Sequence, residues 1–288
     1  MNFTKENIKL LACPICKKEF TTEITQISGN EIISGDLKCN FCQKEFKIIK
    51  GIPNLIPLDF LNNKKHKEWE EKQEHGLEDY ESPDKNYQDF IKLTSRMFGT
   101  FCQHHGTVLD IGCGIAPQLN YFNKEIYKDV NFIGIDPLIE KQNREYFFIQ
   151  GVGEYLPIRN NIIDQIIIST TLDHVVDPLP ILKEAKRVLK RDGEINIWIS
   201  VFDPISKRRI DLFRKALSLI RRGDFRKLIS GAKRNITEDT FFNPGDKYHF
   251  QHFTKEEIFS LLNKLDIRIV RCILLDEGDR YLFLKAKK

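Results

Sequence analysis

From residue 107 onward, short apolar runs alternate with amphipathic stretches. Val108–Ile111, Asn131–Asp136, Tyr146–Gln150, Ile163–Ser169 and Glu194–Ser200 are runs rich in β-branched and aromatic side chains, most of them closed by Gly, Asp, Asn or Pro nearby. Such runs read as buried strands. Pro117–Lys124 and Leu179–Lys190 have helical spacing instead, the second ending at Asp192-Gly193. Strand and helix in alternation predict a parallel sheet with helices on both faces. The pattern then changes. Thr254–Leu265 reads as a helix whose Thr254 and Glu257 form a capping box. Ile267–Leu275 and Arg280–Ala286 read as strands joined by D-E-G-D, a turn short enough to make them antiparallel.

The first hundred residues follow no such alternation. Residues 1–58 carry C-P-I-C at Cys13 and Cys16 and C-N-F-C at Cys39 and Cys42. Two C-x-x-C knuckles place four thiolates around one Zn²⁺. The 22 residues between the knuckles slightly exceed the commonest spacing. A strand-like run, E-F-K-I-I-K-G-I-P-N-L-I-P, follows the second knuckle. Residues 59–105 read as a polar linker with covering helices, one at Lys64–Gln73 and one at 86–100, where Tyr87, Phe90, Ile91, Thr94 and Phe98 recur at near-helical spacing. The expected organisation is therefore a zinc-binding module at 1–58, the linker at 59–105, and an α/β domain at 106–288 with a basic helical insert at 201–250.

Composition narrows the setting. Hydrophobic residues make up 41% of the 288 and charged residues 30%, values of an ordinary globular protein. No apolar run approaches the roughly 18 residues of a membrane-spanning helix, and the N-terminus lacks a signal-peptide core. A cytoplasmic location is the expectation, and paired C-x-x-C in a reducing compartment points to metal rather than disulfide. Cys102, Cys113 and Cys272 belong to no motif and read as packing residues. Net charge is only +4, but Val201–Arg234 holds eleven Lys or Arg against three Asp. That stretch implies an anionic neighbour. Ile210, Phe213, Leu217 and Ile220 share its helical spacing, so it reads either as a lid helix or as one that lies on a membrane surface.

The loop Asp110-Ile-Gly112-Cys113-Gly114 sits between a strand and a helix. Glycines there let the backbone approach a ligand closely. A dinucleotide fingerprint would need Gly or Ala at position 117, where Pro117 stands. Asp110 also suits a cationic ligand better than a pyrophosphate. Asp136, at the tip of the next strand, is placed to accept two ribose hydroxyls. With V-L-D-I-G-C-G, F-I-G-I-D-P, G-E-Y-L-P-I-R-N-N-I-I-D, L-D-H-V-V-D-P and E-A-K-R-V-L-K-R-D-G-E, the stretch 108–200 resembles the core of small-molecule class I methyltransferases, including ubiquinone/menaquinone and sugar O-methyltransferases. The resemblance implies a doubly wound seven-stranded α/β sheet with an antiparallel C-terminal hairpin, and S-adenosylmethionine as cofactor. It implies a cofactor set of Asp110, Gly112, Cys113, Gly114, Asp136, Pro137, Gly153, Glu154 and Thr170. One departure is Val152, where the family carries an Asp for the adenine amine.

Cys13–Pro57 is similar to zinc-ribbon heads of fused methyltransferases and to the small zinc-binding activator of tRNA methyltransferases. It is also similar to the zinc head of 23S rRNA guanine-N1 methyltransferases, from which Cys42 departs, since His is usual there. Such a head either contacts substrate or covers apolar surface. For the reaction, His174 in L-D-H-V reads as the base for an oxygen acceptor or as a loop histidine that packs. In similar sugar O-methyltransferases an Asp after the fifth strand orients that base, and Asp203 in V-F-D-P stands in that place. Tyr248, His249 and His252 read as acceptor-pocket or packing residues, with His249 the third catalytic candidate. The expected partner is a small molecule or saccharide, anionic or lipid-linked, with RNA as the alternative and peripheral membrane contact allowed. A scaffold with a decayed cofactor site is the third reading.

Overall fold

The computed structural model describes residues 3–62, 67–69, 85–114, 121, 125–138, 146–201, 249–277 and 279–288. After a short helix α1 (Lys5–Ile8), four strands form an antiparallel sheet: β1 (Phe20–Ser28), β2 (Glu31–Cys39), β3 (Glu45–Ile49) and β4 (Ile52–Pro53), in that order. Helix α2 (Leu58–Leu61) and helix α3 (Lys85–Cys102) lead to the second sheet. Its strands are β5 (Thr107–Ile111), β6 (Asn131–Asp136), β7 (Phe147–Gln150), β8 (Ile163–Ser169), β9 (Leu189–Ser200), β10 (Arg268–Glu277) and β11 (Asp279–Lys287). They lie in the order β10-β11-β9-β8-β5-β6-β7. β7, β6, β5, β8 and β9 are parallel, and β11 runs antiparallel to both β9 and β10.

The expected sheet and terminal hairpin are therefore present. β6 and β8 fall where the hydrophobic pattern places them, because Phe132, Ile133 and Ile135 in the one and Ile163 and Ile166 to Ile168 in the other make apolar runs buried on both faces. Helix α4 (Pro178–Val188) is held at its start by Asp177, whose side chain accepts from Leu179 N at 2.9 Å, with Pro178 in the first turn. Its buried face is Pro178, Ile181, Leu182, Ala185 and Val188. It stops two residues before the expected Lys190. Leu189 takes extended backbone and pairs with Ile163, and the register shifts before Gln165 meets Glu194. The fully buried Leu189 side chain thus draws the Asp192-Gly193 segment into the sheet as an irregularity. Helix α5 (Lys255–Asn263) has the expected capping box: Thr254 Oγ1 accepts from Glu257 N at 3.2 Å, and Glu257 Oε2 accepts from Thr254 N at 2.7 Å.

Two apolar clusters hold the molecule. One packs aromatic side chains, among them Phe98, Tyr146, Trp198 and Phe283, beneath α3. The other runs without a break from Phe3, Leu11 and Leu37 of the N-terminal module to Leu109, Ile133 and Ile197 of the large sheet. Phe3 stacks on Phe147 with ring centroids 5.4 Å apart. Each fully buried side chain of this kind contributes about 2 kcal/mol. Polar contacts cross the same boundary. Leu55 N donates to Gln150 O at 2.8 Å, Ala12 N to Pro157 O at 3.0 Å, and Lys17 pairs with Glu184 of α4 at 2.5 Å. Cys102 and Cys113 are buried, as packing residues should be, but Cys272 is exposed. It lies on β10, an outer strand of the large sheet, and its expected burial is corrected.

Of the expected helix at Pro117–Lys124 only Tyr121 is described, in a turn; residues 202–248 of the basic insert, with Asp203 and Tyr248, lie outside the described residues. Of the expected Lys64–Gln73 helix, 67–69 are described and are helical. Among the described residues no helix is long and apolar enough to cross a membrane.

Candidate functional site

β5 lies between β6 and β8, where the strand order reverses, and a crevice opens there beyond the carboxyl ends of the strands. Four segments line it: the glycine loop after β5, Asp136–Leu138 after β6, Gly151–Glu154 after β7 and Thr170–Val176 after β8. The crevice encloses about 980 Å³, including the part open to solvent.

The glycine loop needs its glycines. Gly112 has φ +74°, and an added Cβ would stand 2.4 Å from Thr171 Cγ2. Gly112 N donates to Ile135 O at 2.8 Å, and Gly114 N donates to Asp136 Oδ2 at 2.9 Å. The other Asp136 oxygen accepts from Leu138 N at 2.9 Å. The carboxylate is thereby fixed on the crevice wall. Thr171, which the sequence reading passed over, braces the loop from the far side. Its Oγ1 lies within hydrogen-bonding range of the carbonyls of Ile111 and Ser169, at 3.2 and 2.9 Å.

Gly112, Gly114, Asp136, Pro137, Gly153, Glu154 and Thr170 all line the crevice. Asp110 and Cys113 do not. Side chains alternate along a strand, and Ile111 takes the crevice side, so Asp110 turns beneath the loop. It is fully buried and accepts from Tyr121 Oη at 2.6 Å. The expected grip of Asp110 on a cationic ligand would have to act from this buried position. Cys113 is buried in the aromatic cluster. Val152, with Ile111, Ile135 and Ile181, gives the wall a flat apolar stretch. Glu154 is the ionisable group beside it, and burial pushes its carboxyl up to about 7, with Asp177 adding to the shift. Phe60 and Trp69, from the segment between the two sheets, close the crevice from above. Trp69 falls in the expected covering helix at Lys64–Gln73, but nothing in the sequence singled out either ring as a crevice residue.

Thr170 holds φ +47°, an uncommon conformation for a β-branched residue. Its N–H donates to Trp198 O at 2.7 Å, which fixes the turn that delivers Thr171 and His174 to the crevice. His174 lines the crevice. His249, from the far side of the 202–248 segment, stands against it with ring centroids 4.3 Å apart. His249 Nε2 is 3.5 Å from Asp173 Oδ2. Among the described residues the carboxylate beside these imidazoles is Asp173; the expected Asp203 lies outside them. Asp173 was legible only as the residue preceding His174. Its pairing with a histidine 76 positions away has no local signature.

The four cysteines of the N-terminal module converge. Their Sγ atoms all lie within 4.8 Å of one another, with Cys13–Cys42 at 3.6 Å and Cys16–Cys39 at 3.3 Å. Sulfurs around one Zn²⁺ at about 2.3 Å stand about 3.8 Å apart. The two knuckles are built alike. Cys13 N donates to Lys18 O and Cys39 N to Lys44 O, while Lys17 and Gln43 both take positive φ. Burial pushes the Cys13 thiol up to about 12 in the absence of a cation. The donor set and its spacing fit a closed, structural Zn²⁺ site.

Residues 109–197 match the family model described as "Methyltransferase domain". An uncharacterized protein of Methanocaldococcus jannaschii is 34% identical over 94 residues. That match covers 33% of this chain and 44% of the relative, so the shared stretch is less than half of either. Among solved structures, the 1,6-didemethyltoxoflavin-N1-methyltransferase of Burkholderia thailandensis superposes with a TM-score of 0.55 at 13% identity, covering 93% of this chain and 98% of that one. That enzyme was solved with 1,6-didemethyltoxoflavin and S-adenosylhomocysteine bound. At that identity the likeness shows the fold, an α/β methyltransferase fold with a seven-stranded mixed sheet.

Proposed function

We propose that this chain, which carries a methyltransferase domain at 109–197, transfers the methyl group of S-adenosylmethionine to an oxygen of a small molecule or saccharide. The observation that carries the reading is a single crevice lined both by Gly112, Gly114 and Asp136 and by His174. S-adenosylmethionine supplies an electrophilic methyl on a sulfonium. The residues present fit it. Asp136 stands at the tip of its strand on the crevice wall, where a carboxylate can meet ribose hydroxyls, the glycine loop admits a close ligand backbone, and the wall at Ile135, Val152 and Ile181 suits a planar base. Val152 offers the adenine amine no partner, which leaves Glu154 and the backbone of Gly153 as the nearby polar groups.

Displacement at the methyl carbon needs alignment and shielding more than covalent help. Phe60 and Trp69 exclude water from above. An oxygen acceptor must also lose a proton, and His174 is placed at the acceptor end to take it. Cys13, Cys16, Cys39 and Cys42 hold one Zn²⁺ as a staple for the N-terminal sheet, with no open position for catalysis. The basic stretch at 201–234 favours an anionic or lipid-linked acceptor.

The test is twofold. S-adenosylhomocysteine is titrated into the purified chain by calorimetry, and labelled methyl transfer is followed onto glycan, lipid and RNA fractions. His174→Ala should keep its affinity for S-adenosylhomocysteine and lose transfer by about 10²–10⁴-fold. Absent cofactor binding would leave only a scaffold. Label appearing in RNA would replace the small-molecule reading.

A further inference from the structure

We propose that Asp173, His174 and His249 bind one divalent transition-metal ion at the acceptor end of the crevice, separate from the four-cysteine site. One ligand atom from each of the three lies within 4.8 Å of the others. His249 Nε2 and Asp173 Oδ2 are 3.5 Å apart, too far for a good hydrogen bond. It is the separation of two donors that share an ion, since ligands at about 2.1 Å in tetrahedral or octahedral geometry stand about 3–3.5 Å from each other.

A second observation points to the same place. Asp173 is 3% exposed, and its Oδ1 has no hydrogen-bond partner. A buried carboxylate oxygen left so is costly, and a cation relieves it. The spacing is also fixed by backbone rather than by flexible side chains. Phe250 N and Gln251 N both donate to Asp173 O, at 2.8 and 3.1 Å. The Gln251 side chain donates to Val176 O at 2.5 Å. These bonds hold the segment that delivers His249 against the one that carries Asp173 and His174. Two clamped loops thus present a preformed donor set, with the His252 ring 5.8 Å from that of His249.

Two imidazoles and one carboxylate suit ions such as Zn²⁺, Fe²⁺, Co²⁺ or Mn²⁺ rather than Mg²⁺ or Ca²⁺. Three protein ligands leave positions open. Because His174 lines the crevice, those positions face it, and they fit an acceptor with two neighbouring oxygens, such as a vicinal diol or an α-hydroxy acid. That use of the site rests on the methyltransferase reading; the site itself does not. An imidazole nitrogen that holds the ion takes no proton. In the loaded protein the acceptor hydroxyl is acidified by the ion instead, and its proton passes to solvent.

The experiment uses the untagged full chain with its cysteine site already filled by Zn²⁺, titrated with Co²⁺ by calorimetry and by visible absorption. One further Co²⁺ per chain should bind, with nitrogen and oxygen ligation and no thiolate charge-transfer band. Asp173→Asn and His249→Ala should each weaken it at least tenfold, since loss of even an outer-shell partner costs about 10–100-fold. S-adenosylhomocysteine affinity and melting temperature, measured on the same samples, show that each variant is folded. Absence of a second Co²⁺ in the wild type, or equal binding by folded variants, overturns the site. Loss of S-adenosylhomocysteine binding with Co²⁺ binding intact would instead overturn the methyltransferase reading alone.

Discussion

Thr170 shows what the crevice costs at the scale of a residue. A β-branched side chain at φ +47° stores of order 1–3 kcal/mol, and the backbone accepts it because Thr170 N is tied to Trp198 O. Asn adopts this conformation more readily. Thr170→Asn should therefore raise stability by about 1 kcal/mol, read from the denaturation midpoint. Glu154 carries a cost of another kind. Its folded pKa of about 7 lies above the ordinary 4.5, so the folded chain holds this proton more tightly than the unfolded one. Nothing is lost below pH 4.5, where both states are protonated. The penalty grows as pH rises from 4.5 and is complete above about 7. Glu154→Gln should match the wild type in melting temperature near pH 4.5 and exceed it in stability by roughly 2–3 kcal/mol at pH 8. Equal pH profiles for the two proteins would show that the carboxyl is not perturbed.

Elements came through the sequence when their signal was local. Thr254 and Glu257 announce α5 because a capping box needs only four consecutive residues, and both of its hydrogen bonds form. Thr254→Ala should cost about 1 kcal/mol in urea denaturation, with no change in cofactor affinity. β6 and β8 were legible because strands buried on both faces are continuous apolar runs. The end of α4 was not, since Lys190 and Arg191 are good helix formers and only the pairing of Leu189 with Ile163 withdraws them. The site divides the same way. Gly112, Gly114 and Asp136 lie on one strand–loop–strand unit and can be read from spacing. Asp173 with His249, and Phe60 with Trp69, meet the crevice through tertiary packing, and their neighbours in sequence say nothing of it. For Asp110 the motif fixes the position but not the face toward which the strand turns it.

At the scale of the molecule, the two sheets share one apolar cluster and are laced by backbone hydrogen bonds. The proposed Zn²⁺ site therefore acts on more than its own module. Leu55 hangs on Gln150, and the crevice wall at Gly151–Glu154 begins one residue later. Stripping the cysteine site with a chelator should lower the melting temperature by several degrees, as a loss of a few kcal/mol does in a chain of this size. It should also weaken S-adenosylhomocysteine binding, measured by calorimetry before and after Zn²⁺ is restored. An unchanged affinity would make the module a passive cover.

β7 is the last strand in the order of the large sheet, and the stretch around Asn54 and Leu55 pairs alongside it. That rim would otherwise present unsatisfied amides and carbonyls to any extended chain nearby. The N-terminal module thus doubles as a hem that keeps two copies from stitching together, and a fragment trimmed back to residue 106 would inherit a sticky selvage in place of a finished border.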